Sequence, residues 1–299
     1  MNIKYGLMHP KETAVYLLSK CHFLRDEQYI AIKYFVLFGK TINLNQPKSF
    51  NEKLQWLKLY YHDPKYPALV DKLLVRDYVA SIIGEQYLIP LIGVWNSVDE
   101  IDIGELPNRF VMKCTHDSSS IVICENKKQF DFEKAKQKLL KKMDRNMFWW
   151  GREWPYKNLT PKIICEEFME DSSIGELRDY KFFCFNGNVK CYKVDFDRFT
   201  DHHANYYDMN NRIMSVEEVV CPSKPNANIM IPSTIGEMKR LAEKLSAGMP
   251  FVRVDFYSVN NKVYFGEMTF FPAAGFGPFR PNSWDCVFGD WLELPNGDF

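Results

Sequence analysis

The sequence predicts an α+β protein with mostly antiparallel sheets, built as two lobes behind a helical N-terminal segment. Three observations carry this expectation. Apolar residues keep helical spacing over the first 65 or so positions, the period changes to two from about residue 110, and the second half holds two tight hairpin signals, Asn186-Gly187 and Asn260-Asn261.

In chain order, Ala14, Leu17, Leu18 and Cys21 fit one helix, and Ile32, Phe35, Val36 and Gly39 fit the next. Ser49 and Glu52 have the spacing of a capping box opening the helix FNEKLQWLKLYY, which Pro64 and Pro67 close off. A further helix is expected over DKLLVRDYVASII, with Leu74, Tyr78, Val79 and Ile82 on one face and Gly84 ending it. FVMKCT and IVIC then read as adjacent strands joined by the polar loop HDSSS. The basic helix FEKAKQKLLKKMDRN follows, with Ala135, Leu139, Leu140 and Met143 inward and its lysines solvated. After an irregular aromatic stretch, MFWWGREWPYKNLTPK, comes the strand IICEEF. KFFCF and VKCYKV form a hairpin around Asn186-Gly187, whose residues tolerate positive φ. Thr234 and Glu237 suggest a second capping box for the helix that Gly248 ends, and FVRVDFY and KVYFGEM make the last hairpin.

Composition narrows the function. Thirty-eight basic and 38 acidic residues balance, so a protein that coats nucleic acid or an anionic surface is disfavoured. Hydrophobic residues at 46% exclude a disordered chain, and no apolar run reaches the ~18 residues of a membrane span. The N-terminus lacks the apolar core of a signal peptide, and the eight cysteines show no C-x-x-C pair. The expectation is a cytoplasmic protein with reduced cysteines.

The last hairpin carries the chemistry. Arg253 and Asp255 are two apart and share a strand face, and register can bring Glu267 opposite Asp255. Two neighbouring carboxylates resist ionisation unless a cation joins them, and Mg²⁺ takes such oxygen ligands together with phosphate. An exposed ladder with an Arg–Asp ion pair explains the same residues. Lys113 beside HDSSS suits an anion, although the loop has no glycine and Asp117 repels phosphate. Asp179 and Lys181 share a face in the same way. Asp195-Phe196-Asp197 reads as the D-x-D of a sugar-nucleotide glycosyltransferase, a rival function. His202-His203 reads as solvated, and Arg152, Glu153, Trp154 and Tyr156 are candidates to line an acceptor groove.

In order, these strings are Asp71-Lys72, Lys113 with its loop, IICEEFM, DYKFFCFNG, RVDFY and GEMTFFPAAG. Together they resemble the ATP-grasp superfamily, and more narrowly the TupA-like ATP-grasp proteins of bacterial surface-polysaccharide biosynthesis. The resemblance runs from about Asp71 to Pro295. It implies an ATP-grasp fold: a helical segment over 1–66, a lid lobe over 67–165 and a metal-binding core lobe over 166–299. By family position, Lys72, Lys113, His116, Ser118 and Ser119 hold ATP phosphates, with Arg76 a further lid contact. Glu166, Glu167, Phe168 and Met169 form the adenine hinge, Asp179 meets the ribose, and Lys181 reaches phosphate. Asp255 and Glu267 hold Mg²⁺ and Arg253 stabilises the transferred phosphoryl group. Thr269 stands where the superfamily commonly has an asparagine metal ligand. Ser119 and Ser120 replace loop glycines.

The implied activity is a carboxylate–amine ligase, in which ATP converts a carboxylate to an acyl phosphate and an amine displaces phosphate. The implied acceptor is a uronic acid of a capsule or teichuronic-type glycan or its precursor, and the amine an amino acid. An ATP-grasp kinase and a nucleotide-binding scaffold without turnover are the other readings.

Overall fold

The computed structural model describes residues 9–171, 176–198 and 200–295, so the first eight residues of the N-terminal segment lie outside the described residues. Helices lead: α1 (Pro10–Leu18), α2 (Asp26–Phe38), α3 (Phe50–Tyr60), α4 (Tyr66–Val70) and α5 (Val75–Ile82). A four-stranded sheet follows, from β1 (Leu91–Trp95), β2 (Phe110–Cys114), β3 (Val122–Cys124) and, after helices α6 (Phe132–Met143) and α7 (Phe148–Gly151), β4 (Ile163–Glu167). Its order is β1-β4-β2-β3, so β4 straddles the expected 165/166 boundary. The larger sheet uses β5 (Asp179–Phe185), β6 (Asn188–Phe196) and β7 (His203–Tyr207), then β9 (Phe251–Val259) and β10 (Lys262–Thr269). Its order is β10-β9-β5-β6-β7, and all its pairings are antiparallel. Short β8 (Glu217–Glu218) precedes α8 (Ile235–Leu245), and β11 (Phe279–Arg280) precedes α9 (Ser283–Trp291). The α+β expectation holds.

The main core lies on the larger sheet and takes in α3, α8 and α9 through Phe50, Leu54, Met238, Leu245 and Phe288. The smaller sheet has its own core, Phe110, Met112, Cys114 and Cys165 against Ala135 and Leu139 of α6. Both asparagine turns form, with φ of 48° at Asn186 and 50° and 62° at Asn260 and Asn261.

The helices exist where expected, but several faces differ. In α2 the buried residues are Tyr29, Ile30, Lys33 and Tyr34, while Ile32 and Phe35 are exposed. In α5 Val75 and Val79 are buried and Ile82 exposed, and Leu74, just before it, is exposed too; the helix begins after an Asp71 turn whose Oδ1 accepts from the Leu73 and Leu74 amides. Leu140 of α6 also faces solvent. The Ser49–Glu52 capping box forms. The Thr234–Glu237 box does not, since the Thr234 hydroxyl pairs with Ser258 and Glu237 accepts from the Tyr87 hydroxyl at 2.7 Å.

Candidate active site

One face of the larger sheet is apolar; the other packs Phe183 and Phe185, with Phe251 beside them, against Phe288 at one end and is charged beyond them. A single transverse row of the charged face reads Glu267, Asp255, Lys181, Lys193 and Tyr206 from β10 to β7, each opposite the next. A β-bulge makes this row possible. Phe265 pairs with Phe256, and the next paired residue is Glu267 with Asp255, so Gly266 is the extra residue. In unbroken register Glu267 would face Val254 and point its carboxylate into the core. A Cβ at Gly266 would lie 3.0 Å from the Asp255 carbonyl oxygen, so the bulge favours glycine.

Arg253, opposite Thr269, clasps the acidic pair. Its Nε and one terminal nitrogen each donate to Asp255 at 2.7 Å, and that terminal nitrogen also reaches Glu267 at 2.9 Å and Thr269 Oγ1 at 3.1 Å. Thr269 in turn donates to Glu267 at 3.1 Å. Lys181 lies between two acids, 3.4 Å from Asp255 and 3.1 Å from Asp195. Burial alone would raise the Glu267 carboxyl, but the charges of Arg253, Lys72 and Lys181 outweigh it and hold it down at about 2. Glu267 is therefore ionised at neutral pH, with 37% of its side chain open to solvent. Burial lowers the Arg253 guanidinium, yet Asp255 and Glu267 reverse that and raise it.

The smaller sheet supplies a second charged group. Lys113 bonds Glu166 at 2.6 Å, and Arg76 reaches the other oxygen of that carboxylate at 3.1 Å. Lys72 ties the turn before α5 to the end of β2 and its loop, its amide donating to the Thr115 carbonyl at 3.0 Å. Its ammonium donates to the Asp117 carbonyl, and burial, only partly offset by Glu267, pushes it down. The HDSSS loop is largely engaged with itself. Asp117 Oδ1 accepts from the Ser119 and Ser120 amides at 3.2 and 3.0 Å, the Ser119 hydroxyl meets Lys142, and buried His116 contacts the Arg145 carbonyl oxygen at 3.0 Å. Ser118 is exposed. Of the expected hinge, Glu167 is exposed, Phe168 and Met169 are half-buried, and the Arg109 guanidinium stacks 4.0 Å from the Phe168 ring.

Beyond the acidic pair the chain turns through Ala273, Ala274 and Gly275, all with positive φ (49°, 54° and 68°). Two of these residues carry a Cβ, so the turn is strained and needs holding. Helix α3 holds it. Gln55 donates to the Ala274 and Gly275 carbonyls, and Lys58 to Ala274, Gly151 and Gln55 at 2.7–2.8 Å. Three acceptors require three N–H donors, so Lys58 is an ammonium although burial pushes it down. Glu153 is the acid whose charge most favours that ammonium, and its own carboxyl is raised by burial. Of the groove candidates, Arg152 is buried with its guanidinium 4.5 Å over the Tyr29 ring, while Glu153, Trp154 and Tyr156 are half-buried.

Sequence reasoning thus found Arg253, Asp255, Glu267, Thr269 and Lys181, which meet, and Lys113, which meets Glu166 instead. Asp179 pairs with Arg198 at 2.8 Å. Asp195 was legible only as half of a D-x-D. That pair does not form a clasp: Asp195 is buried in the ladder while Asp197 is exposed beyond the strand with φ 53°. Lys193 and Glu218, 2.9 Å apart, were missed. The signal for the first was present in Lys193-x-Asp195, the same spacing as Asp179-x-Lys181. A broad surface groove lined by Glu27, Ala31, Ile42, Asn43 and Tyr60 contains none of these residues. No helix among the described residues is long and apolar enough to cross a membrane.

Residues 52–293 match the TupA-like ATPgrasp family. No curated protein matches the sequence. Among solved structures, similarity extends to D-alanine–D-alanine ligase from Helicobacter pylori, at 13% identity over 83% of this chain and 68% of that one, TM-score 0.43. The D-alanine–D-alanine ligase from Bacillus anthracis is 15% identical over 68% of this chain and 57% of its own, TM-score 0.38. Phosphoribosylamine–glycine ligase from Thermotoga maritima is 14% identical over 69% of this chain and 48% of its own, TM-score 0.40. The chain therefore spans little more than half the length of the Bacillus enzyme.

Proposed function

The chain belongs to the TupA-like ATPgrasp family, and from that premise we propose that it is an ATP-dependent ligase joining a carboxylate to an amine. The observation that carries this reading is the bulge-set pairing of Glu267 with Asp255, both clasped by Arg253. The residues fit the partners the family implies. Asp255, Glu267 and the Thr269 hydroxyl are an all-oxygen donor set, suited to a hard cation such as Mg²⁺, and the ionised, half-open Glu267 can take one without a proton to lose. Bound ATP would supply the phosphoryl group that turns a carboxylate oxygen into part of a phosphate leaving group.

The chain's own residues do the rest. Arg253 stands beside the acids to neutralise charge that develops on the transferred group. Lys72 and Lys113 are our choices to hold the phosphates, with the loop at His116, Ser118 and Ser119 contributing less because its amides already serve Asp117. Glu166 keeps Lys113 and Arg76 in place, the backbone of Glu167, Phe168 and Met169 meets the adenine, and Asp179 meets the ribose. Lys181 balances Asp255 against Asp195. The acceptor we propose is a uronic acid of a surface glycan or its precursor, the donor an amino acid, and the compartment the cytoplasm, which supplies ATP. The glycosyltransferase reading loses its support with the unformed D-x-D.

The test uses the full chain with MgATP, glucuronate and galacturonate as carboxylate probes, and alanine, glutamate or hydroxylamine as amines. ADP and phosphate release should require both a carboxylate and an amine, with a hydroxamate formed from hydroxylamine. Phosphorylated product without an amine would make it a kinase. Undiminished turnover in the double variant Asp255→Ala, Glu267→Ala, or sugar transfer without ATP, would overturn the proposal.

A further inference from the structure

At the β7 edge of the charged face, three side chains of different chemistry converge. Asp195 stands near the end of β6, His202 immediately precedes β7, and Cys221 follows β8. One donor atom from each, an oxygen, a nitrogen and a sulfur, lie within 4.8 Å of one another. His202 Nε2 is 3.6 Å from Asp195 Oδ2, and Cys221 Sγ is 3.9 Å from the His202 carbonyl oxygen. Cys221 is buried and in no disulfide. A second observation singles out the carboxylate. Asp195 is only 5% exposed, yet its Oδ1 has no hydrogen-bond partner, the Lys193 ammonium standing off at 3.7 Å. A buried carboxylate oxygen normally finds a donor.

We propose that Asp195, His202 and Cys221 form a site for a borderline divalent transition metal, zinc foremost, separate from the oxygen-only pair Asp255 and Glu267. Sulfur and nitrogen donors exclude Mg²⁺ and Ca²⁺ as the preferred occupant, while a Cys-His-carboxylate set suits Zn²⁺ with its fourth position open. The charges around the site set its terms. Lys193, Lys181 and Arg198 all face Asp195 and, against its burial, hold its carboxyl well below the usual range, so it is already a ligand. The same cations oppose a dication. Two features offset them: Cys221 exchanges its proton for the metal and adds a negative charge, and Arg198, with 36% of its side chain exposed, has solvent to turn into. The bound metal would tie together the end of β6, the start of β7 and the segment after β8.

Cobalt(II) gives the test a readout independent of activity and of the ligase reading. A thiolate–cobalt bond produces near-ultraviolet charge-transfer absorption, which an all-oxygen site cannot. The full chain, stripped with EDTA and kept in excess Mg²⁺, should develop this band on titration with Co²⁺, saturate at one equivalent, and lose it on adding Zn²⁺. Cys221→Ser should abolish the band. His202→Ala, at an exposed position that leaves folding intact, should weaken cobalt binding at least about tenfold and serves if the cysteine variant does not fold. No band, or a band untouched by either substitution, overturns the site.

Discussion

Two adjacent rows of the same five strands differ completely. On one face Met268, Val254, Phe182, Tyr192 and Tyr207 stand opposite one another; one residue along, on the other face, stand Glu267, Asp255, Lys181, Lys193 and Tyr206. The backbone is shared, so the difference lies in what the side chains do. The first row adds apolar area to the core under α8. The second brings like charges together, Asp255 beside Glu267 and Lys181 beside Lys193, an arrangement that weakens a sheet unless each charge is answered. Arg253 and Lys181 answer the acids. On the proposed function the charged row serves binding, while the apolar row beside it serves the core.

That contrast can be broken in order of expected effect. Phe182→Ala on the apolar row should cost about 3–5 kcal/mol in chemical unfolding and leave the ATP affinity of the folded protein within about twofold. Asp255→Asn should do the reverse, lowering ADP release about 10²–10³-fold for a smaller loss of stability. If the two variants behaved alike, the division of labour would be wrong.

Arg253→Gln sharpens the account through pH. Glu267 is held at about 2, below its ordinary 4.5, so the stability it contributes is fully present above about pH 4.5 and is lost as pH falls toward 2. Without the guanidinium, the largest charge opposing burial is gone and the carboxyl rises. The acid-unfolding midpoint should then move to higher pH, and an unchanged midpoint would mean that Arg253 does not hold Glu267 ionised. The smallest effect belongs to Thr269→Val, which removes one hydroxyl bonded to both Arg253 and Glu267; Mg²⁺-dependent ATP binding should weaken about five- to tenfold.

Much of this was legible in the sequence wherever the signal is local. Asparagine turns and the Ser49–Glu52 box depend on residues within a few positions of each other, and they formed. The Thr234–Glu237 box has the same spacing but failed because Ser258 and Tyr87, distant in sequence, offered those side chains better partners. The face of α2 differs from its period for a related reason: the buried Lys33 satisfies its ammonium on the Trp150 carbonyl and aromatic rings, which no helical period announces. At the site, the pairing of Asp255 with Glu267 was visible as a possibility, and Gly266 was its marker, since a lone glycine within a strand often signals a bulge. Lys193 and Glu218 stayed hidden because their partnership spans β6 and β8.

On the proposed function, Asp255 and Glu267 together hold the magnesium that accompanies ATP. Calorimetric titration of ATP, with and without Mg²⁺, into the folded protein and into Asp255→Asn, Glu267→Gln tests it most directly. Binding should be tight only with Mg²⁺ in the native chain, and that Mg²⁺ dependence should be lost in the variant. Equal Mg²⁺-dependent affinity in both would contradict it.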